Sequence, residues 1–245
     1  MKKLLSIVLC AATISVFGET PVFLGRVGVT EINSGLSNTI VAVSYDDLAL
    51  ASGSGIVVSN FVKTTNLTVG DQLAIFNNGE YTTWILTQGK GDAKFWAKND
   101  KTFKINAKGE QVDGTGPQAS GISQAVGAGI WLVRQKPVEN GKVVPFYIYG
   151  KPVTNPTSTT AAGTWTLIGN PNQTGSKEIV VSHPTDFDQI VVPNATNGNL
   201  CYYTYKSGKG WRTTNGTQWV DGNPPKLGAG LGCWIWTQET CTINW

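Results

Sequence analysis

The chain has 245 residues, a formal net charge of +3 and only 14% charged residues. Because 40% of its residues are hydrophobic and its charges nearly balance, it is neither a charged disordered polymer nor a basic nucleic-acid-binding protein, and we expect no nucleic-acid partner. Glycine (29 residues) and tryptophan (9) are abundant while methionine occurs once, which favours strands joined by turns over helices.

The first eighteen residues predict an export signal, 1–18. Lys2 and Lys3 precede an uncharged apolar run over Leu4–Phe17, and the small residues Val16 and Gly18 suit a signal-peptidase site. The run is shorter than the roughly 20 residues that span a bilayer. We therefore expect export to the periplasm, cell surface or extracellular space, with no transmembrane span in the mature chain.

Short β-branched or aromatic runs bounded by glycine, asparagine or proline predict strands through the rest of the chain. These runs are Thr39–Val43, Gly55–Ser59, Gln72–Phe76, Tyr81–Leu86, Ile130–Arg134, Val144–Tyr149, Thr164–Ile168, Glu178–Ser182, Gln189–Val192, Leu200–Tyr205 and Cys233–Thr237. Many short strands at this spacing predict an all-β fold of the sandwich or barrel type.

The runs also repeat, which indicates an internal duplication. The paired segments are Ile56–Ser59 with Ile179–Ser182, Leu73–Phe76 with Leu200–Tyr203, Trp84 with Trp211, and Trp131 with Trp234. We predict two tandem homologous β-sandwich or barrel-like modules, 19–144 and 145–245, that meet at the Asn140-Gly141 turn. The first module carries a polar insert near 98–120, which is expected to be a surface hairpin or loop.

Three motifs carry a family resemblance. They are Trp-Thr-Leu-Ile-Gly-Asn-Pro at 165–171, Gly-x-Gly-x-Trp at 127–131 and Pro-Phe-Tyr-Ile-Tyr-Gly at 145–150. The chain resembles uncharacterised exported, duplicated, β-rich bacterial surface proteins that share this strand and turn. The resemblance implies export and a duplicated β fold, and it implies no activity.

Aromatic residues give the strongest functional signal. Tryptophans that recur in both modules are expected in the core or between sheets, because burying an indole is strongly stabilising. They are Trp84, Trp211, Trp131, Trp234, Trp96 and Trp219. Trp234 and Trp236 lie on the same side of one strand, so one face of that strand is aromatic. Unpaired aromatic residues are the better candidates for stacking on sugar rings, namely Trp236, Trp245, Tyr203 and Tyr205.

The cysteines allow several interpretations. Cys201, Cys233 and Cys241 remain after the predicted leader, and an oxidising compartment favours a disulfide. We expect either a Cys201–Cys233 or a Cys233–Cys241 bridge, with buried free thiols as the alternative.

The sequence offers little for catalysis. His183 is the only histidine, and no His/Cys cluster has ligand spacing, so we expect no metal site and no cofactor. Asp186 and Asp188 lie on one side of an extended chain, which makes a glycan hydrolase the alternative. We predict a non-catalytic, exported envelope or secreted protein with a binding or structural role. Its expected partner is an envelope protein or a glycan, the latter bound weakly through exposed aromatic residues.

Overall fold

The computed structural model describes residues 28–32, 34–46, 56–57, 67–77, 80–88, 94–98, 104–105, 111–113, 123–172, 175–194, 197–214 and 218–245. The predicted leader, 1–18, and most of the insert near 98–120 lie outside these residues. The described residues form strands and turns with no helix, so the predicted all-β fold class is confirmed.

The described strands, in chain order, are β1 (Gly28–Ile32), β2 (Asn38–Ala42), β3 (Tyr45–Asp46), β4 (Ile56–Val57), β5 (Gln72–Asn77), β6 (Glu80–Gln88), β7 (Lys94–Lys98), β8 (Lys104–Ile105), β9 (Gln111–Asp113), β10 (Ser123–Gln124), β11 (Gly129–Val133), β12 (Val138–Glu139), β13 (Lys142–Val143), β14 (Phe146–Pro152), β15 (Thr157–Thr159), β16 (Trp165–Gly169), β17 (Ser176–Glu178), β18 (Gln189–Pro193), β19 (Leu200–Lys206), β20 (Gly210–Thr214), β21 (Trp219–Gly222), β22 (Lys226–Gly228), β23 (Gly232–Trp236) and β24 (Thr242–Asn244).

Two antiparallel sheets dominate the fold. The first sheet has the order β2-β11-β5-β6-β7, and the second has the order β16-β23-β18-β19-β20-β21. The first five positions of both sheets therefore have the same connectivity, with an edge strand, a strand from late in the half, and then three consecutive strands. The second sheet adds β21 at its far edge.

The hydrogen-bond register changes which strands correspond. Trp131 lies opposite Ala74 in β5, and Trp234 lies opposite Val191 in β18. By sheet position, β5 therefore corresponds to β18, whereas the sequence alignment matched it with Leu200–Tyr203 in β19. Strands alternate with a period of two, so a pattern of apolar residues fits a neighbouring strand almost as well as the right one.

The same hydrogen-bond register also changes which tryptophans correspond between the two halves. Trp96 lies opposite Leu86, and Trp211 lies opposite Tyr205 at the same place in the second sheet. The counterpart of Trp211 is thus Trp96, whereas the alignment had paired it with Trp84.

Strand pairing also locates the boundary between the halves. β14 pairs with β1 along its length, from Ile32 opposite Phe146 to Gly28 opposite Gly150. β24 pairs with β15 in the second half in the same way, with Ser158 opposite Ile243. We call β1–β14 the first half and β15–β24 the second half, so the strand predicted to open the second module pairs with the first half.

Each half has its own core beneath its main sheet. The first core includes Trp84 and Trp96, and the second includes Trp211 and Ile235, each with at most 4% of its surface exposed. These three tryptophans are buried as predicted. Trp219 is 52% exposed, which contradicts its expected place in the core, because it lies in the edge strand β21.

The halves contact each other through reciprocal backbone hydrogen bonds. The Ala42 N–H donates to the Gly230 carbonyl at 2.9 Å, and the Gly169 N–H donates to the Gly127 carbonyl at 2.9 Å. A Cβ added to Gly169 would lie 2.4 Å from the Ala42 Cβ, so the two backbones touch where both positions are small.

Candidate functional site

The candidate site lies on the side of the second sheet that faces away from its core. In β23, Cys233 and Ile235 are fully buried in the core, while the alternating residues Trp234 and Trp236 are only partly buried on the opposite side. We call this side the outer face of the second sheet. Residues directly opposite in a ladder share a face, so the register identifies its other members.

Two rows of side chains cross the outer face. The aromatic row contains Leu167, Trp234, Val191, Tyr202, Thr214 and Trp219, and the polar row contains Trp165, Trp236, Gln189, Thr204, Arg212 and Asp221. Each position is directly opposite its neighbour in the row, except that the step from Tyr202 to Thr214 follows from the adjacent Thr204–Arg212 pair.

The far end of the aromatic row is open to solvent. Tyr202 is 53% exposed and Trp219 is 52% exposed, so both ring systems have accessible surface. The Arg212 guanidinium lies 5.7 Å from the centre of the Trp219 ring, and its Nε donates to Asp221 Oδ1 at 2.7 Å. Arg212 is therefore held between an indole and a carboxylate, which orients its remaining N–H groups.

The near end of the aromatic row joins a ring cluster between the halves. We call this cluster the aromatic seam; it comprises Phe76, Tyr81, Trp131, Trp165 and Trp234. Ring centres of Trp234 and Phe76 are 5.1 Å apart, those of Trp234 and Tyr81 are 5.6 Å apart, and those of Trp234 and Trp131 are 6.3 Å apart, all in edge-to-face geometry. Such contacts stabilise each pair by about 1 kcal/mol beyond burial.

Two polar groups of the seam, the Tyr81 hydroxyl and the Trp131 indole N–H, are partly or fully shielded from solvent. Partial burial raises the pKa of Tyr81 to about 12, although 45% of the residue is exposed. The indole N–H of Trp131 is enclosed and has no hydrogen-bond partner within the described part of the chain. Most of the seam is thus packing between the halves, and Tyr81 is its exposed rim.

The structure separates the four aromatic residues predicted to bind sugar. Trp236 lies on the outer face in the polar row, whereas Tyr203, Tyr205 and Trp245 pack against the core of the second half. Tyr205 meets the core residue Trp211 edge-to-face at 5.5 Å. The Trp245 indole N–H donates to Ser158 Oγ at 2.6 Å, so both ends of that side chain are engaged.

Sequence reasoning missed Tyr202 and Trp219, the two most exposed rings of the outer face. Tyr202 alternates with Tyr203 along β19, and the same period that places Tyr203 towards the core places Tyr202 outside. The alternation was readable in the sequence once the core side of β19 had been assigned. Trp219 was missed because it was counted among the recurring tryptophans, which were expected to be buried.

Asp188 has a structural position. It is fully buried, and its carboxylate accepts hydrogen bonds from the Thr185 N–H at 2.8 Å, the Thr185 hydroxyl at 2.9 Å and the Gln238 N–H at 2.9 Å. Asp71 occupies the corresponding place in the first half and accepts from the Thr68 N–H at 2.8 Å and the Gln135 N–H at 2.7 Å. We call each arrangement the aspartate turn.

Asp186 is engaged separately from Asp188. Its carboxylate forms an ion pair with Lys206 and accepts from the Ser207 N–H at 2.5 Å. The hydrogen bond from Lys206, with help from Ser207, lowers the pKa of Asp186. The two carboxyls proposed as an acid/base pair therefore serve different contacts, one in a buried turn and one at the surface.

The cysteines are free thiols. Cys201, Cys233 and Cys241 form no disulfide, so both expected bridges are absent from the structure. Cys201 lies opposite Val192 in β18, and Cys233 lies in the strand beyond, β23. Two strand spacings put these cysteines about 9–10 Å apart, further than a disulfide can reach. Burial raises the pKa of Cys233, which keeps it in the unreactive thiol form.

A pocket of about 320 Å³ lies where the halves meet. It is lined by Ser44, Pro152, Val153, Pro156, Pro171, Asn172 and Lys177, and none of the predicted site residues contributes to it. Within the ranges described above, no three His, Cys, Asp or Glu side chains are grouped to hold a metal ion, and no helix has the length and apolarity to cross a membrane.

Comparisons with protein-family models, curated proteins and solved structures find no match for the chain. The exposed rings and polar groups of the outer face are therefore the features that bear on function.

Proposed function

We propose that the protein is an exported, non-catalytic binding or structural protein of a cell envelope or secreted complex, and that it binds carbohydrate on the outer face of the second sheet. The observation that carries this proposal is the exposure of Tyr202 and Trp219, each more than half accessible, beside Arg212 and Asp221. Aromatic faces stack on the apolar faces of sugar rings, while adjacent charged and amide groups hydrogen-bond to hydroxyls.

The contacts of Asp186 and Asp188 support a non-catalytic role. The Asp188 carboxylate accepts hydrogen bonds from backbone N–H groups on both sides of its turn, and the Asp186 carboxylate forms an ion pair with Lys206. A glycosidase needs one of two carboxyls to hold a proton near neutral pH, and the pKa of Asp186 is lowered instead. We therefore favour binding over hydrolysis.

The proposal includes the predicted leader, 1–18, and an origin of the two halves from one ancestral module. The common strand order and the paired aspartate turns support that origin, because Thr68, Asp71 and Gln135 make the same contacts as Thr185, Asp188 and Gln238.

Export is tested by fractionating expressing cells and sequencing the N-terminus of the product. We expect a chain that lacks 1–18 outside the cytoplasm, and an uncleaved cytoplasmic chain would contradict export.

Carbohydrate binding is tested with a glycan array and the purified chain. We expect retention of at least one glycan class, and loss of that signal in the Tyr202→Ala/Trp219→Ala double variant. Val220→Ala is the matched control, because Val220 is 44% exposed in the same strand as Trp219 but alternates to the other side of the sheet. An empty array, or a double variant that binds as the parent does, would end the proposal.

A further inference from the structure

Building on the carbohydrate-binding function proposed above, we propose that the outer face takes one extended, uncharged, β-1,4-linked polysaccharide chain that runs across the strands. Three properties of the face lead to this ligand class. They are the spacing of the rings, the charge balance of the polar row and the twist of the sheet.

The two exposed rings of the aromatic row lie on alternate strands. Tyr202 is in β19 and Trp219 is in β21, with β20 between them. Strands in a sheet are about 4.8 Å apart, so these two rings are about 9.6 Å apart. In an extended β-1,4-linked chain every second sugar presents the same face, and two sugars advance by nearly this distance. Each ring therefore meets an equivalent sugar.

The residue between the two rings is smaller. Thr214 separates Tyr202 from Trp219 in the row and is exposed. It leaves room for the intervening sugar, whose apolar face points elsewhere. A continuous aromatic surface would stack on sugars at any position and would not select the spacing of every second sugar.

The polar row complements an uncharged ligand. Arg212 Nε lies 2.7 Å from Asp221 Oδ1, and Lys209 Nζ lies 3.7 Å from the other oxygen of the same carboxylate. Gln189 and Thr204 complete the row towards Trp236 with neutral hydrogen-bonding groups. Within the polar row the Arg212–Asp221 pair is neutral as a unit, and it offers donors and acceptors to hydroxyls.

The twist of the sheet selects a single chain over a crystalline surface. Adjacent strands in a sheet rotate by about 20–25°, so rings two strands apart are turned by about 40–50° relative to each other. A free chain in solution can turn by rotation about its glycosidic bonds and follow this surface. The flat face of a polysaccharide crystal cannot do so, and it would meet one ring at a time.

Titration calorimetry of the full chain with cello-oligosaccharides of two to six units tests the inference. We expect affinity to rise by about tenfold or more between the disaccharide and the pentasaccharide, since only the longer ligand reaches two rings. Trp219→Ala should remove this gain, while Val220→Ala should keep it. Far-UV circular dichroism and the melting temperature establish that each variant is folded.

The outcomes separate this inference from the function on which it rests. Affinity that is independent of length, a Trp219→Ala variant that keeps the gain, stronger binding to polygalacturonate, or preference for crystalline over soluble cellulose would each overturn the inference. Carbohydrate binding would still hold if the glycan array retained another sugar class in a Tyr202-dependent manner. If the array retains no glycan, the proposed function fails as well.

Discussion

The two halves use the same framework but present different outer faces. Thr83 and Tyr202 occupy one sheet position, because each lies opposite the residue that pairs with Trp131 or Trp234. The first half thus has a hydroxyl where the second has an exposed ring. What the halves share builds the sheet and its turns, and what differs is where a binding role is expected.

The aspartate turns are the clearest common element. Just before β5 the Gly70 N–H donates to the Leu86 carbonyl, and just before β18 the Phe187 N–H donates to the Tyr205 carbonyl. In each half the carboxylate of the next residue, an aspartate, then accepts from a backbone N–H in the segment that follows β11 or β23. Buried N–H groups need partners, and the carboxylate supplies them where the strand ladder has not yet begun.

Removing the turn carboxylates should have the largest effect. Asp188→Ala leaves two backbone N–H groups and one hydroxyl without their acceptor, and we expect the free energy of unfolding to fall by about 4 kcal/mol. Asp71→Ala leaves two N–H groups, and we expect a loss of about 3 kcal/mol. Urea unfolding followed by tryptophan fluorescence measures both. Asp221→Ala, at an exposed carboxylate, is the control, and equal effects at all three positions would contradict a structural role for the turn.

The contact between the halves can be tested at its tightest point. Gly169→Ala places a Cβ 2.4 Å from the Ala42 Cβ and 2.5 Å from the Ala42 Cα, where no flexible side chain can yield. We expect a loss of about 3 kcal/mol in the free energy of unfolding or separation of the halves, which limited proteolysis would detect. Gly222→Ala is the matched control, because the nearest atom to its added Cβ is the Trp211 carbonyl oxygen at 3.9 Å. A stable Gly169→Ala variant would mean that the halves do not pack this closely.

The contributions of Asp71, in the first half, and Asp186, in the second half, to stability should change with pH in opposite directions. Burial raises the pKa of Asp71 above its ordinary 3.8, so its contribution to stability is full below that pH and is lost as pH rises through the raised pKa. The pKa of Asp186 is lowered by Lys206 and Ser207, so its contribution is present above 3.8 and is lost as pH falls through the lowered pKa.

Urea unfolding between about pH 3 and pH 6 measures these slopes. Relative to the parent, Asp71→Asn should gain stability as pH rises, and Asp186→Asn should lose it over the same change. Parallel curves for the parent and both variants would show that neither carboxyl has the stated shift.

The sequence was informative about strands and faces and less so about which strands correspond. The β-branched runs predicted an all-β protein, and the alternation in Cys233–Trp236 correctly predicted one aromatic face of β23. The match of β5 with β19 failed because a period of two fits several strands, and only hydrogen bonds fix the register.

Long-range contacts limited the prediction of the site. Tyr203 and Tyr205 are aromatic residues like Tyr202, and nothing local says which side of β19 meets the core. The aspartate turn has a local signature, Thr-x-x-Asp-Gln at 68–72 and 185–189, but the donors at Gln135 and Gln238 are far away in sequence. A tryptophan such as Trp219 is exposed only because its strand ends the sheet.

The smallest expected effect concerns the residue before each turn aspartate. Gly70 has φ of +96° and Phe187 has φ of +76°, so the second half holds a phenylalanine in the left-handed region that glycine tolerates. Phe187→Gly should raise the free energy of unfolding by about 0.5 kcal/mol, since the relief of backbone strain exceeds the entropic cost of glycine. Gly70→Ala should lower it by about 1 kcal/mol. Thermal unfolding of both variants measures these changes. A destabilising Phe187→Gly would mean that the exposed contact between the Phe187 ring and Lys206, at 5.7 Å, contributes more to stability than the relief of backbone strain.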